Sequence, residues 1–276
     1  MIDPSDRIGV VLMAYGTPRT PDDIEAFYTD IRRGRPPTEE ALADLTRRYA
    51  AIGGTSPLAE ITEAQRTRLV GALDLLETGR YEVRLGFKHA DPKVGATAAG
   101  FLADGFRRIT GLVLAPHYST ASIGGDLAQL ESVVGERAID PQPTGSRVDD
   151  PEPTGVRTTD SEPIEVRVIE SWATEEAYVG CLADDLGPRV SRMRAEVGSR
   201  LRPGARVCVV FTAHSLPQRV IDGDDPYVDE LRSTAKAVAD RLSLVEGVDW
   251  QIAWQSAGRT PEPWIGPNVL DVIDEM

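Results

Sequence analysis

Short apolar runs punctuate the chain at 8–14, 109–115, 164–169, 207–212 and 250–254, and a further strand-like segment lies at 81–87. The clearest are Ile8-Gly9-Val10-Val11-Leu12-Met13-Ala14 and Val207-Cys208-Val209-Val210-Phe211-Thr212. These runs are continuous rather than alternating and rich in β-branched residues, which predicts strands covered on both faces. Between them lie helical stretches. Thr20-Pro21-Asp22-Asp23 has the form of a helix start: a capping threonine, proline in the first turn, and acids at the positive end of the dipole. That helix should stop near Gly34. A second runs from Thr38 to Gly53-Gly54. A third is expected to open at Thr62, where Thr62 and Gln65 have capping-box spacing. Further helices are predicted over 93–105, 122–134, 174–197 and 226–244. Strands alternating with helices imply βαβ units and a mostly parallel sheet, an α/β class.

One segment breaks the alternation. Residues 140–169 hold three imperfect ten-residue copies, with Asp140, Asp150 and Asp160, Pro143, Pro153 and Pro163, and Arg147, Arg157 and Arg167 in register. The third copy merges into a strand. The first two read as a tandem duplication of a strand-entry loop, whose Pro, Gly and Asp content resists a packed core. A mobile insert over 140–160 is the expectation, and a docking arm the alternative.

In open α/β sheets, ligands bind beyond the carboxyl ends of the strands. The unusual residues fall at those ends: Tyr15-Gly16-Thr17-Pro18, Pro116-His117-Tyr118-Ser119, Ala213-His214-Ser215-Leu216-Pro217, and Gln255-Ser256 followed by Trp264-Ile265-Gly266-Pro267. Four polar clusters on one predicted edge point to a site. Periodicity alone stops at an enzyme or ligand binder.

Composition narrows the partners. The net charge is −14 over 276 residues, which disfavours nonspecific nucleic-acid binding. Three lysines stand against 27 arginines. An acidic, lysine-poor surface suits a high-salt cytoplasm, and a GC-rich genome gives the same bias. Cys181 and Cys208 are too few for a disulfide framework and read as buried small hydrophobes. No apolar stretch is long enough to span a membrane, and Met1 to Arg7 does not read as a signal peptide, so the expected compartment is the cytoplasm.

Taken in order, Met13-Ala14-Tyr15-Gly16-Thr17-Pro18, Ile31-Arg32-Arg33-Gly34-Arg35, Arg48-Tyr49-Ala50-Ala51-Ile52-Gly53-Gly54, Ser56-Pro57-Leu58, Leu114-Ala115-Pro116-His117-Tyr118-Ser119, Ala213-His214-Ser215-Leu216-Pro217, Asp225-Pro226-Tyr227, Trp254-Gln255-Ser256 and Pro263-Trp264-Ile265-Gly266-Pro267 resemble the motifs of the ferrochelatase family. The resemblance covers about 8–270 apart from the insert, and is greatest to the bacterial coproporphyrin ferrochelatases. It implies a chelatase-like pair of Rossmann-like lobes with parallel sheets flanked by helices, 1–169 and 170–276, holding a porphyrin in the cleft between them. The implied reaction is insertion of Fe²⁺ into a porphyrin in heme biosynthesis, with coproporphyrin III as first substrate and protoporphyrin IX as second.

The resemblance also assigns roles. His214 matches the active-site histidine, a metal ligand or proton acceptor. Tyr15 matches a tyrosine whose oxygen can contact the metal from the other porphyrin face. Arg32, Arg48, Tyr49 and Ser56 match positions that hold propionates, and a guanidinium fork suits a carboxylate. His89 and His117 are read as structural. Fe²⁺ is then a substrate, with no resident cofactor and no [2Fe-2S] cluster, and the protein a monomer without a transmembrane segment. Two departures stand out. A tyrosine that contacts substrate in the coproporphyrin enzymes falls on Asp126, and the family's pattern continues to a glutamate-bearing loop past the Trp-x-Gly-Pro motif, so that the second lobe reads as truncated. The alternatives are a catalytically impaired porphyrin binder and a cobalt or nickel chelatase of the same superfamily.

Overall fold

The computed structural model describes residues 3–135, 139–142, 164–200, 206–242, 248–258 and 260–276. The chain divides into two compact units. The first takes the chain up to Ala115, Ile123–Gln142, and the strand leading to Glu170. The second takes Pro116–Ser122 and Ser171–Met276.

The first unit is a parallel sheet in the order β2-β1-β3-β5-β4. Its strands are β1 (Ile8–Ala14), β2 (Tyr81–Phe87), β3 (Arg108–Val113), β4 (Ile139–Gln142) and β5 (Glu165–Ile169). Its helices are α1 (Ile24–Ile31), α2 (Glu39–Ala51), α3 (Leu58–Leu76), α4 (Val94–Ala103) and α5 (Gly124–Val134). β1 is an interior strand, paired with β2 on one side and β3 on the other, and its five middle residues are buried. Val10 and Leu12 pack with Val83 against Leu69, Val70 and Leu73 of α3. Val94, Ala98 and Phe101 of α4 are fully buried. Burying one such large side chain stabilises the fold by about 1.5–3 kcal/mol. The continuous apolar run of β1 is therefore what a strand sandwiched between two helical layers requires.

In the second unit, β6 (Val207–His214) and β7 (Val248–Gln255) pair in parallel. With them go α6 (Glu176–Arg200), α7 (Gln218–Ile221), α8 (Tyr227–Arg241) and α9 (Val269–Asp274). Val190 of α6 packs on Val207, Val209 and Val248, and Val179 and Ala183 pack on Val238 of α8.

Three expectations are corrected. First, α3 starts at Leu58, not at Thr62. Ser56 Oγ accepts from Leu58 N at 3.2 Å. Thr62 is buried inside the helix, and its hydroxyl donates back to Leu58 O at 2.7 Å, the other use of a threonine near a helix start. Second, residues 140–142 belong to β4, which pairs with β5. Pro141 is tolerated there because β4 is an edge strand. The rest of the repeat segment, 143–163, lies outside the described residues. Third, Cys181 is exposed and Cys208 half-buried. On α6 the inward face carries Val179, Gly180 and Ala183, which turns Cys181 outward.

Candidate functional site

At the carboxyl end of β1 the chain turns at Tyr15-Gly16. Gly16 has φ +87°, and a Cβ there would lie 2.8 Å from the Ala90 side chain, so only glycine fits. The turn is tied to the end of β2: Lys88 N donates to Ala14 O at 2.9 Å and His89 N to Tyr15 O at 3.0 Å. Tyr15 is thus held by its backbone while its side chain is 50% exposed. Its ring meets His89 edge-on at 4.7 Å and Phe27 at 6.3 Å. Partial burial, then the nearby Tyr49, Asp30 and Asp126, push the phenol above its ordinary pKa. Tyr15 therefore stays protonated at neutral pH.

His89 Nδ1 lies 2.7 Å from Asp30 Oδ2, and Lys93 Nζ donates to Asp30 Oδ1 at 2.8 Å. Burial pushes Asp30 up, but the bonds from Lys93 and His89 together outweigh it, and the carboxyl sits below its ordinary value. His89 is lowered, burial overcoming the attraction of Asp30. A neutral His89 that donates through Nδ1 to a carboxylate keeps Nε2 as an acceptor. These groups line a groove of about 810 Å³ with Thr17, Arg19 and Phe27.

The other residues singled out in the first unit sit at helix ends. Tyr49, near the end of α2, brings its hydroxyl to 3.4 Å from Thr17 Oγ1. Arg48 is 65% exposed and lies 3.3 Å from Asp44 one turn earlier. Arg32 caps α1, donates to Arg35 O at 3.3 Å, and stacks on Tyr28 at 5.6 Å. Ser56 opens α3 and lines a different groove with Arg19 and Arg68. The structure thus brings Tyr15 and Tyr49 to the neighbourhood of one strand end, with Arg32, Arg48 and Ser56 on separate helix termini.

His214 belongs to the second unit. It is the last residue of β6, in register with Gln255 of β7, and its side chain is exposed. Two residues more of strand than the apolar run indicates put it on the sheet rather than in the loop. The frame behind it is closed by hydrogen bonds. Ser215 N donates to Gln255 O at 2.7 Å, Ser215 Oγ to Ile265 O at 2.8 Å, and Tyr227 Oη to His214 O at 3.2 Å. Asp225 is buried and accepts from Ser119 Oγ, Thr120 N, Thr120 Oγ1 and Tyr227 N. His117 Nε2 lies 2.8 Å from Thr234 Oγ1, whose own proton is directed to Ala173 O at 2.6 Å. His117 therefore donates from Nε2, and burial lowers its pKa to about 4. It is a neutral structural histidine at ordinary pH.

Asp126, in the first turn of α5, is 6% exposed, and burial raises its carboxyl to about 6 against the pull of Lys88. Its Oδ1 has no hydrogen-bond partner. Sequence reasoning had flagged it only as a departure. The pair of glycines before it, Gly124-Gly125, was the available signal of a close backbone approach. Among the described residues, no group of three or more His, Cys, Asp or Glu side chains is disposed to hold a metal ion.

Parallel sheets that gather titratable side chains at their carboxyl ends define an α/β protein with its ligand chemistry at the strand ends. The ferrochelatase family model matches residues 7–276, and on that match the chain belongs to the ferrochelatase family. It is 37% identical over 275 residues to coproporphyrin III ferrochelatase 2 of Bacillus cereus, covering 98% of this chain and 74% of that one. It is 36% identical over 272 residues to a ferrochelatase of Herpetosiphon aurantiacus, covering 99% and 79%. With coproporphyrin III ferrochelatase of Geobacillus kaustophilus it shares 37% over 269 residues, 97% and 75%. No helix among the described residues is long and apolar enough to cross a membrane.

Proposed function

We propose that this chain inserts Fe²⁺ into a porphyrin in heme biosynthesis, with coproporphyrin III as first substrate and protoporphyrin IX as second. The family match across 7–276 carries the reading, and the printed names of the Bacillus and Geobacillus relatives support the first substrate. In the reaction two pyrrole N–H bonds break, the ring nitrogens bind the metal, and two protons leave. Fe²⁺ is a substrate, so no resident cofactor is needed. The protein acts as a monomer in the cytoplasm.

The residues divide the work by their chemistry. His214 offers an exposed imidazole nitrogen, which can ligate Fe²⁺ or accept a pyrrole proton. Tyr15 stays protonated and presents a neutral oxygen to the metal. Arg32 and Arg48 are exposed cations for propionates, with hydroxyl support from Tyr49 and Ser56. The ion pair of Arg48 with Asp44 is solvent-exposed and therefore weak, so a substrate carboxylate can compete for the guanidinium.

The test is anaerobic metalloporphyrin formation followed by absorbance. His214→Ala is expected to lower the rate by about 10²–10⁴, while porphyrin binding and melting temperature hold. Unchanged turnover would remove His214 from the reaction. A parent protein that binds porphyrin but inserts no metal would be a binding protein, and one that takes cobalt or nickel in preference to iron would be a different chelatase.

A further inference from the structure

Strands β2, β1 and β3 lie side by side, and their carboxyl ends lead to Lys88, Tyr15 and α5. The three ends are stitched together. Lys88 N donates to Ala14 O at 2.9 Å, Leu114 N to Met13 O at 2.9 Å, and Gln129 Nε2 of α5 to Lys88 O at 3.3 Å. Gly125 makes room for the lysine: a Cβ there would lie 2.8 Å from Lys88 Cε and 2.9 Å from Nζ. The ammonium therefore lies against the backbone next to Asp126. Asp126 feels the charge of Lys88, and its own charge is felt at the Tyr15 phenol. Yet Oδ1, in a side chain 94% removed from solvent, takes no hydrogen bond. Buried carboxylate oxygens are ordinarily satisfied, so an unpartnered one whose charge reaches the half-exposed Tyr15 is a candidate to act on a ligand. With its carboxyl at about 6, Asp126 is negative at pH 8.

We propose, resting on the function proposed above, that Asp126 is a specificity-determining residue of the tetrapyrrole site. Its unpartnered charge lies just beneath the surface at the rim of the bound ring and disfavours a ring that presents an ionised carboxylate there, relative to one that presents a neutral group. Like charges brought together out of water oppose binding, and such juxtapositions set specificity more than they set overall affinity. A tetracarboxylate such as coproporphyrin III carries an acid side chain on every pyrrole ring. A dicarboxylate such as protoporphyrin IX carries neutral vinyl groups on two of them. Asp126 therefore narrows the preference for the tetracarboxylate and lets the dicarboxylate compete.

The experiment measures dissociation constants of metal-free coproporphyrin III and protoporphyrin IX at pH 8 by fluorescence titration, for the full chain and for Asp126→Asn. The ratio of the two constants is expected to shift toward coproporphyrin by about five- to fiftyfold in the variant, the scale of one partly screened like-charge contact. The shift should come from tighter coproporphyrin binding. Asp126→Ser, which also removes the charge, should move the ratio in the same direction and serves if the asparagine variant melts early. An unchanged ratio, or an equal gain for both porphyrins, overturns the proposal while leaving the parent reading intact. A parent protein that binds neither porphyrin overturns that reading and this inference with it.

Discussion

Asp225 and Asp126 are both aspartates buried just before or within the first turn of a helix, at 7% and 6% exposure. Asp225 accepts four hydrogen bonds, while Asp126 leaves Oδ1 bare. The two sites in the two units carry the same difference. Around His214 the buried polar groups are closed on partners: Ser119, Ser215, Thr234 and Asp225 all have them. Around Tyr15 the groups are perturbed by one another and by burial, with Tyr15 and Asp126 raised and His89 and Asp30 lowered. A closed network fixes one exposed side chain in space. An open one stores unsatisfied polarity that a ligand can meet. Fold stability should thus depend on the polar groups of the second unit, and ligand response on those of the first.

The largest stability effect belongs to Asp225→Ala. It leaves the Thr120 and Tyr227 amides and two hydroxyls without their acceptor. Breaking such a network costs about 3–5 kcal/mol, since each buried donor left unmet costs about 1–3 kcal/mol less whatever water recovers. Chemical denaturation should show a lower midpoint at unchanged slope. A loss below about 1 kcal/mol would mean that the network is not a structural clamp, and the contrast would fail.

Asp126→Asn should act in the opposite direction, and only at some pH values. The folded carboxyl titrates at about 6, above the ordinary carboxylate value near ~3.9. The folded state therefore holds this proton more tightly than the unfolded chain does. Stability associated with the group is highest below pH ~4, falls as pH rises through the interval, and is fully lost above pH ~6. A raise of about two units corresponds to ~3 kcal/mol. Asparagine cannot ionise, so the variant should equal its parent near pH ~4 and exceed it by up to ~3 kcal/mol at pH ~8. Subtracting the parent's curve removes the other titrating groups. A difference that does not change with pH would place Asp126 in water or on an unseen partner.

Much of the architecture was readable because it rests on local pattern. β1 lies where its apolar run places it, β2 covers the strand-like segment at 81–87, and the threonine at 38 caps α2 through Ala41 N at 3.2 Å. What escaped depends on tertiary surroundings. Thr62 has the spacing of a cap, but proline at 57 and the Ser56 hydroxyl started the helix one turn sooner. β4 is a strand only because β5 offers an edge, and its Asp-Pro sequence reads as a turn. Cys181 resembles a core residue by type, and only the rotation of α6 exposes it. Among the candidate site residues, the strand-end positions of His214 and Tyr15 were legible. The buried, unpartnered state of Asp126 was not, because burial is set by how α5 packs on α4 and by where Lys88 lies, neither of which a first-turn aspartate announces.

The smallest stability change should come from Arg48→Ala, and it separates the two regions most sharply. The guanidinium is 65% exposed, and its Asp44 partner 46%, one helical turn away. Exposed pairs at this spacing contribute about 0.3–0.5 kcal/mol, so the melting curve should barely move. Alanine is also the better helix former, which offsets part of even that. Binding should respond differently. If Arg48 meets a propionate, truncation removes a charge-assisted contact of about 1.5–3 kcal/mol, or roughly ten- to hundredfold in porphyrin affinity. Lysine at this position should restore the charge but not the two-pronged geometry, giving an intermediate loss. The effect should also weaken with added salt, as expected of a contact made at the surface. A variant that binds porphyrin as tightly as its parent would leave Arg48 as a solvated helix end, and the carboxylate's partner would have to be sought among Arg32, Arg33, Arg35 and Arg47.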